Sequence, residues 1–283
     1  MLNIRIKITW IVFFLVITII ANGQTREELY EEIMVHAESG NIEQGVLLSK
    51  QLIGLDSSDV YQNYYWSSLG WFQHQLGRHE EALESYATSI RLNSLYDEVF
   101  SNRALVYMEM NRLEKAIKDN IKALEINPHN EQALYNMGLI LTREEKYTEA
   151  IGYYQRHITI NPKHYSAGLN LAHLKQITGD FTQALMDYNR LIEYYPNDPL
   201  LYNNKADLCL QMHDYKDALK FVDVALEINP DFAIALATKG QIFYGLEDYS
   251  NACFYFNMAM EKGFQRSRLT NYLDQCEPDQ LVD

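Results

Sequence analysis

The chain has 283 residues, 47% apolar and 22% charged, an ordinary globular composition with ample material for a long core. Its formal net charge of −14 argues against nucleic acid and anionic membrane surfaces as partners, because their phosphates need Lys and Arg. Gly and Pro are few, and no like-charge run or low-complexity segment marks a tail or linker, which points to one elongated domain.

Residues 1–23 stand apart from the rest of the chain. Arg5 and Lys7 give a charged start, Ile8 to Ile20 is a nearly unbroken apolar run, and Ala21-Asn22-Gly23 offers small residues before Gln24. This is the layout of a secretory signal peptide with cleavage after Gly23. The run is shorter than the roughly 20 apolar residues of a spanning helix, so an uncleaved anchor is the alternative. Loss of Arg5 and Lys7 would take the net charge from −14 to −16. No cysteine lies near the cut, so a lipoprotein signal has no support. The junction resembles a bacterial export signal, which implies a periplasmic or extracellular protein.

From Thr25 onward the apolar spacing predicts helices. Residues 24–62 read as a degenerate helix pair, with its turn at Gly40-Asn41 and its small position at Gly45. This pair runs three residues out of step with the regular units of the chain, which predicts a short insertion near Ser58 to Gln62. The stretch Glu131 to Pro162 shows the regular unit most clearly. Leu134, Met137, Gly138 and Leu141 lie at i, i+3, i+4 and i+7 on one helical face. Tyr147, Ala150, Ile151, Tyr154 and Ile158 form a second such face, and Pro162 closes the unit by biasing Asn161 away from helix.

This unit recurs at a stride of 34 residues without insertion. The first helix keeps a small residue at Gly70, Ala104, Gly138, Ala172, Ala206 and Gly240, and the second keeps Ala82, Ala116, Ala150, Ala184, Ala218 and Ala252. Small side chains let antiparallel helices approach until their ridges interlock. Four residues after each alanine stands Tyr86, Asn120, Tyr154, Tyr188, Val222 or Phe256, of which only Asn120 is not apolar. Gly77, Asn111 and Gly179 mark turns within pairs; at Glu145, His213 and Glu247 the turn is placed by phase alone. Asp198-Pro199 reads as an N-cap with proline in the first helical turn. Leu269, Tyr272 and Leu273 predict a further helix over Ser267 to Cys276, capping the exposed end of the core, with a frayed tail from Glu277.

The pattern resembles the tetratricopeptide repeat family, a 34-residue repeat of paired helices. Trp66, Leu69, Gly70, Ala82 and Tyr86 match its motif, while Gln73 and Ser94 depart from it at single places. The resemblance implies an all-α, right-handed superhelical solenoid of about seven hairpins plus a C-terminal capping helix. Six repeats span 63–266, starting at 63, 97, 131, 165, 199 and 233, with the cap and tail over 267–283. In this family the first helices line the concave groove.

Groove candidates occupy fixed positions on the first helices. Two residues before the small position stand Asn102, Asn136, Asn170 and Asn204, flanked by Ser68 and Thr238. An amide offers both a donor and an acceptor, so a row of them could pair with an extended peptide backbone; Asn is also simply common at this place in the repeat. Three residues further lie Trp71, Leu105, Leu139, His173, Asp207 and Gln241, apolar toward the N-terminus and polar toward the C-terminus, with Tyr64, Tyr135 and Tyr244 adding aromatic surface. Some of these side chains could instead pack on neighbouring helices. Relatives that grip a C-terminal carboxylate use Lys and Arg with Asn; Ser67, Ser101, Asn102 and Tyr135 stand there instead, which disfavours a chaperone-tail clamp.

Chemistry has little support. The eight histidines are scattered. His74 and His79 straddle Gly77, and His157 and His164 straddle Pro162, so neither pair shares a helical face with a carboxylate as a helix-borne zinc site would require. Glu80-Glu81 and Glu144-Glu145 open second helices, where negative charge suits the dipole. Cys209, Cys253 and Cys276 read as small buried hydrophobes, with one disulfide as the lesser alternative in an exported chain. The sequence therefore predicts a non-enzymatic module with no cofactor or metal that binds a protein or peptide segment in its groove. The alternative is a structural subunit or assembly adaptor of a cell-envelope complex that uses its convex face or ends.

Overall fold

A computed structural model describes residues 25–55 and 60–276. The expected export segment 1–23, the tail from Glu277 and much of the insertion expected near Ser58 fall outside these residues. Among them the chain is an all-α repeat solenoid of fifteen α-helices with no strand. Its contacts cluster into two compact units, residues 1–145 and 146–283, where the composition suggested one elongated domain. Stacked hairpins touch mainly their neighbours in sequence, so composition carries no sign of where such clusters divide.

The first unit holds α1 (Arg26–Ser39), α2 (Ile42–Leu55), α3 (Gln62–Gln75), α4 (His79–Leu92), α5 (Asp97–Glu109), α6 (Leu113–Ile126) and α7 (Glu131–Arg143). Each helix packs on its neighbour in sequence, and α5 also packs on α7. The second unit holds α8 (Tyr147–Ile160), α9 (Tyr165–Ile177), α10 (Phe181–Tyr194), α11 (Pro199–Gln211), α12 (Tyr215–Ile228), α13 (Ala233–Gly245), α14 (Tyr249–Glu261) and a single turn, α15 (Thr270–Leu273). There α11 packs on α13 as well as on its sequence neighbours.

The small residues do what their spacing requires. All six alanines of the second helices, from Ala82 to Ala252, are fully buried. A β-carbon on Gly70 would sit 2.7 Å from the Tyr86 ring, and one on Gly240 would sit 2.5 Å from the Phe256 ring. The bulky residue one turn past each alanine thus fills the space that the small residue leaves. Tyr86, Tyr154, Tyr188 and Phe256 are fully buried, each a side chain worth about 1.5–3 kcal/mol on removal from water.

The turns within hairpins share one geometry. Gly77 has φ +69° and its N–H donates to the His74 carbonyl, while the Arg78 N–H reaches back to Gln73. That pair of bonds is the left-handed helix stop in which glycine is favoured. Asn111, Glu145, His213 and Glu247 adopt the same positive φ without being glycine, so at the last three only the phase of the repeat locates the turn. The next helix is often capped by an aspartate: Asp180, Asp214 and Asp248 accept from backbone N–H groups of α10, α12 and α14. Asp198 caps α11 with Pro199 in its first turn.

Two expectations at the C-terminal end need correction. The helix expected over Ser267–Cys276 is a 3-10 turn, Arg266–Arg268, and then the single turn α15. Only Leu269 and Leu273 need burial, against Leu236, Ala237, Phe256 and Ala259, and one helical turn brings both inward. The cysteines are not three separate small hydrophobes. Cys253 on α14 and Cys276 form a disulfide, with Cα atoms 5.2 Å apart, and Cys209 alone is free and buried. A separation of 23 residues reveals nothing of this until the chain folds back over α14.

Candidate functional site

In the first unit the first helices α3, α5 and α7 carry the candidate face. Trp71 is half-buried, set edge-on to Phe72 at 5.0 Å between ring centroids and packed on the N-terminal core. Leu105, Tyr135 and Leu139 are half-buried. Asn102 is also half-buried and lines a polar cleft of about 430 Å³ with Asp97, Glu98, Ser101 and Gln132. Asp97 is held in that cleft by the side-chain amides of Asn127 and Asn130, at 2.9 and 2.8 Å.

Asn136 is different, being fully buried. Its amide donates to the Ser101 carbonyl and to Asn120 Oδ1, both at 3.2 Å, and accepts from Gln132 at 2.7 Å. Asn120 is the one polar residue at the bulky position of the second helices, and Asn136 is its partner 16 residues on. The same relation recurs in the second unit, where Asn170 donates to the Tyr154 hydroxyl at 3.2 Å. Asparagine at this position therefore serves the packing of a hairpin on its predecessor, and Asn136 does so with its whole side chain.

In the second unit Asn170 and Asn204 are half-buried and His173 is exposed. Asp207 on α11 accepts from Gln176 at 2.7 Å and Gln211 at 2.9 Å. Burial raises its pKa against the opposite pull of those two amides and His173. Nearby, Lys175 and Asp187 make a buried ion pair at 2.6 Å, with Arg190 closing on Asp187 at 2.9 Å. The candidate positions of this unit, Asn170, His173, Asn204 and Asp207, are all polar.

Two features are absent from the sequence pattern. Tyr30, Tyr61, Tyr64 and Tyr65 line a pocket of about 430 Å³ at the N-terminal end, with Arg26, Glu27 and Glu31 on its wall. Of these only Tyr64 belongs to the expected face; Tyr30 and Tyr61 lie in the irregular stretch before residue 63, and Tyr65 is the neighbour of Tyr64 on α3. The second feature corrects the expectation that the histidines are scattered. His74, His79 and Glu109 each offer a donor atom, and these atoms lie within 4.8 Å of one another. Spacing along single helices cannot show a group drawn from three of them. Glu109 lies 35 residues after His74, one repeat and one residue further, which is where the next hairpin touches the end of α3.

Family patterns of the tetratricopeptide repeat match residues 64–94, 98–130, 131–164 and 177–242, together more than half of the chain. The chain belongs to the tetratricopeptide repeat family. No curated protein matches it. Among solved structures it is similar to a tetratricopeptide repeat protein from Parabacteroides merdae, with 24% identity, 89% of this chain and 99% of that one covered, and a TM-score of 0.55. YrrB, described as a TPR protein with an unusual peptide-binding site, shares 21% identity over 66% of this chain and 95% of its own, at a TM-score of 0.58. PilW, described as a type IV pilus biogenesis factor, shares 18% identity over 74% of this chain and 97% of its own, at 0.59. At these identities the likeness is one of fold, the tetratricopeptide solenoid. Among the described residues no helix is long and apolar enough to cross a membrane.

Proposed function

We propose that the chain is a non-enzymatic binding module that holds a partner protein segment on the first-helix face of its repeats. The observation that carries this reading is the set of half-buried amides and apolar side chains at fixed repeat positions: Asn102 with Leu105, Tyr135 and Leu139 in the first unit, Asn170 and Asn204 with exposed His173 in the second. Rigid helices hold these groups without further ordering cost, which favours binding of a flexible segment. Asn136 is a structural member of the row. The acidic cleft around Asp97 and Glu98 favours a segment that carries positive charge, and the tyrosine pocket favours apolar anchors. The similarity to YrrB supports a peptide ligand. The apolar segment 1–23 supports export to the periplasm or cell exterior, and the disulfide suits an oxidising compartment.

A second reading, that of an assembly adaptor in a cell-envelope complex, has its own observation. Ile121, Met186 and Phe254 are exposed apolar side chains on second helices, away from the proposed face. The likeness to a pilus biogenesis factor supports it. One experiment separates the two. The partner cross-linked to the mature chain is titrated against wild type and against Asn102→Ala/Asn170→Ala/Asn204→Ala. Loss of about 1 kcal/mol per amide, roughly fivefold in affinity each, is expected from the first reading. Unchanged affinity, with normal helicity, favours the second.

A further inference from the structure

We infer that His74, His79 and Glu109 form a zinc-binding site that ties two successive hairpins of the first unit together. His74 is on the last turn of α3, His79 is the first residue of α4 and Glu109 is the last residue of α5. The Gly77 turn fixes the first two relative to each other, through the Gly77 N–H to the His74 carbonyl and the Arg78 N–H to Gln73. His74 Nε2 lies 2.9 Å and His79 Nδ1 3.7 Å from the same oxygen, Glu109 Oε2. A tetrahedral zinc ion about 2.0–2.1 Å from each donor sets its ligands about 3.3 Å apart, between those two separations. All three donor atoms lie within 4.8 Å of one another, so rotation of the exposed Glu109 and half-buried His79 side chains is what the site needs to close on an ion.

Two further observations point to an ion. His79 Nδ1 is shielded from solvent and has no hydrogen-bond partner, an arrangement that costs free energy unless something pairs with it. The His74 side chain is almost fully buried, so one wall of the site is preformed, while the partly exposed flanks of His79 and Glu109 leave a fourth position open to water or to a partner's side chain. Glu80, the nearest alternative carboxylate in sequence, is engaged with Arg112 at 2.7 Å. Two imidazoles and one carboxylate select zinc over Mg²⁺ and Ca²⁺, which prefer all-oxygen shells.

The test is calorimetric titration of the chelator-treated full chain with zinc chloride, alongside its thermal midpoint with and without the ion. One equivalent should bind and the midpoint should rise, with no response to magnesium chloride. Glu109→Gln and His79→Ala, both at partly exposed positions, should keep the zinc-free midpoint and weaken binding by more than the roughly 10–100-fold lost on removing an outer-shell partner. Binding of cobalt chloride should give the visible bands of a tetrahedral ion, and these should vanish in His79→Ala. No stoichiometric binding to wild type, wild-type affinity for zinc in both variants, or a magnesium response matching that of zinc would each overturn the inference.

Discussion

Replacing Cys253 and Cys276 together by serine should loosen the C-terminal cap and little else. The bond closes a loop across 23 residues, and the chain-entropy relation gives about 3 kcal/mol for a loop of that size. At about 1.4 kcal/mol per factor of ten, opening of the cap becomes roughly 100-fold more frequent. The cap is also held by Leu269 and Leu273, by the Tyr272 ring against Tyr244 and Phe256, and by backbone bonds such as Tyr272 N–H to Leu269 and Cys276 N–H to Leu273. A repeat stack is stabilised neighbour by neighbour, so the loss should stay close to α13 and α14. Native-state hydrogen exchange reads this amide by amide. Protection at Leu269, Tyr272 and Leu273 should fall by about two orders of magnitude while that in α10 is unchanged. Equal protection in the variant and wild type would refute the role of the disulfide, and a uniform loss along the chain would refute the local transmission of stability.

Glu145 and Glu247 stand in the left-handed region at φ +59° and +62°, a conformation that costs a residue with a β-carbon about 1 kcal/mol or more. Glu145→Gly and Glu247→Gly should each raise stability by about 0.5–1 kcal/mol, whereas Gly179→Ala should lower it by about 1 kcal/mol, as read from urea unfolding midpoints. Asn136→Ala should cost about 2 kcal/mol by leaving the buried Asn120 amide without its partner and opening space between the hairpins. Asn204→Ala, half-exposed, should stay within about 0.5 kcal/mol of wild type, so equal costs at the two positions would refute the distinction between them.

The architecture was legible because one physical requirement, close helix approach, imposes a small residue at a fixed stride. Gly70, Ala82 and their equivalents carry that requirement, and burial of all six alanines meets it. The turns at Glu145, His213 and Glu247 stand where the phase puts them although their residues give no local signal. The site was less legible, for a reason visible in Asn136. A residue at a regular position can point into the contact between hairpins or out of it, and the choice depends on what the preceding hairpin offers. Asn120 offers an amide and draws Asn136 inward. His74, His79 and Glu109 were hidden for the converse reason: their proximity arises between repeats, where sequence distance is close to a full stride. The Cys253–Cys276 pair likewise needed the fold-back of the cap, which spacing does not contain.

The account stands on the claim that the partner lies on the first helices. A photo-activatable residue placed at Leu105 or His173, and separately at the exposed second-helix positions Ile121 and Met186, tests it in cells that express the full chain. The account predicts that partner adducts form from Leu105 and His173 and not from Ile121 or Met186. Adducts confined to Ile121 and Met186 would contradict it.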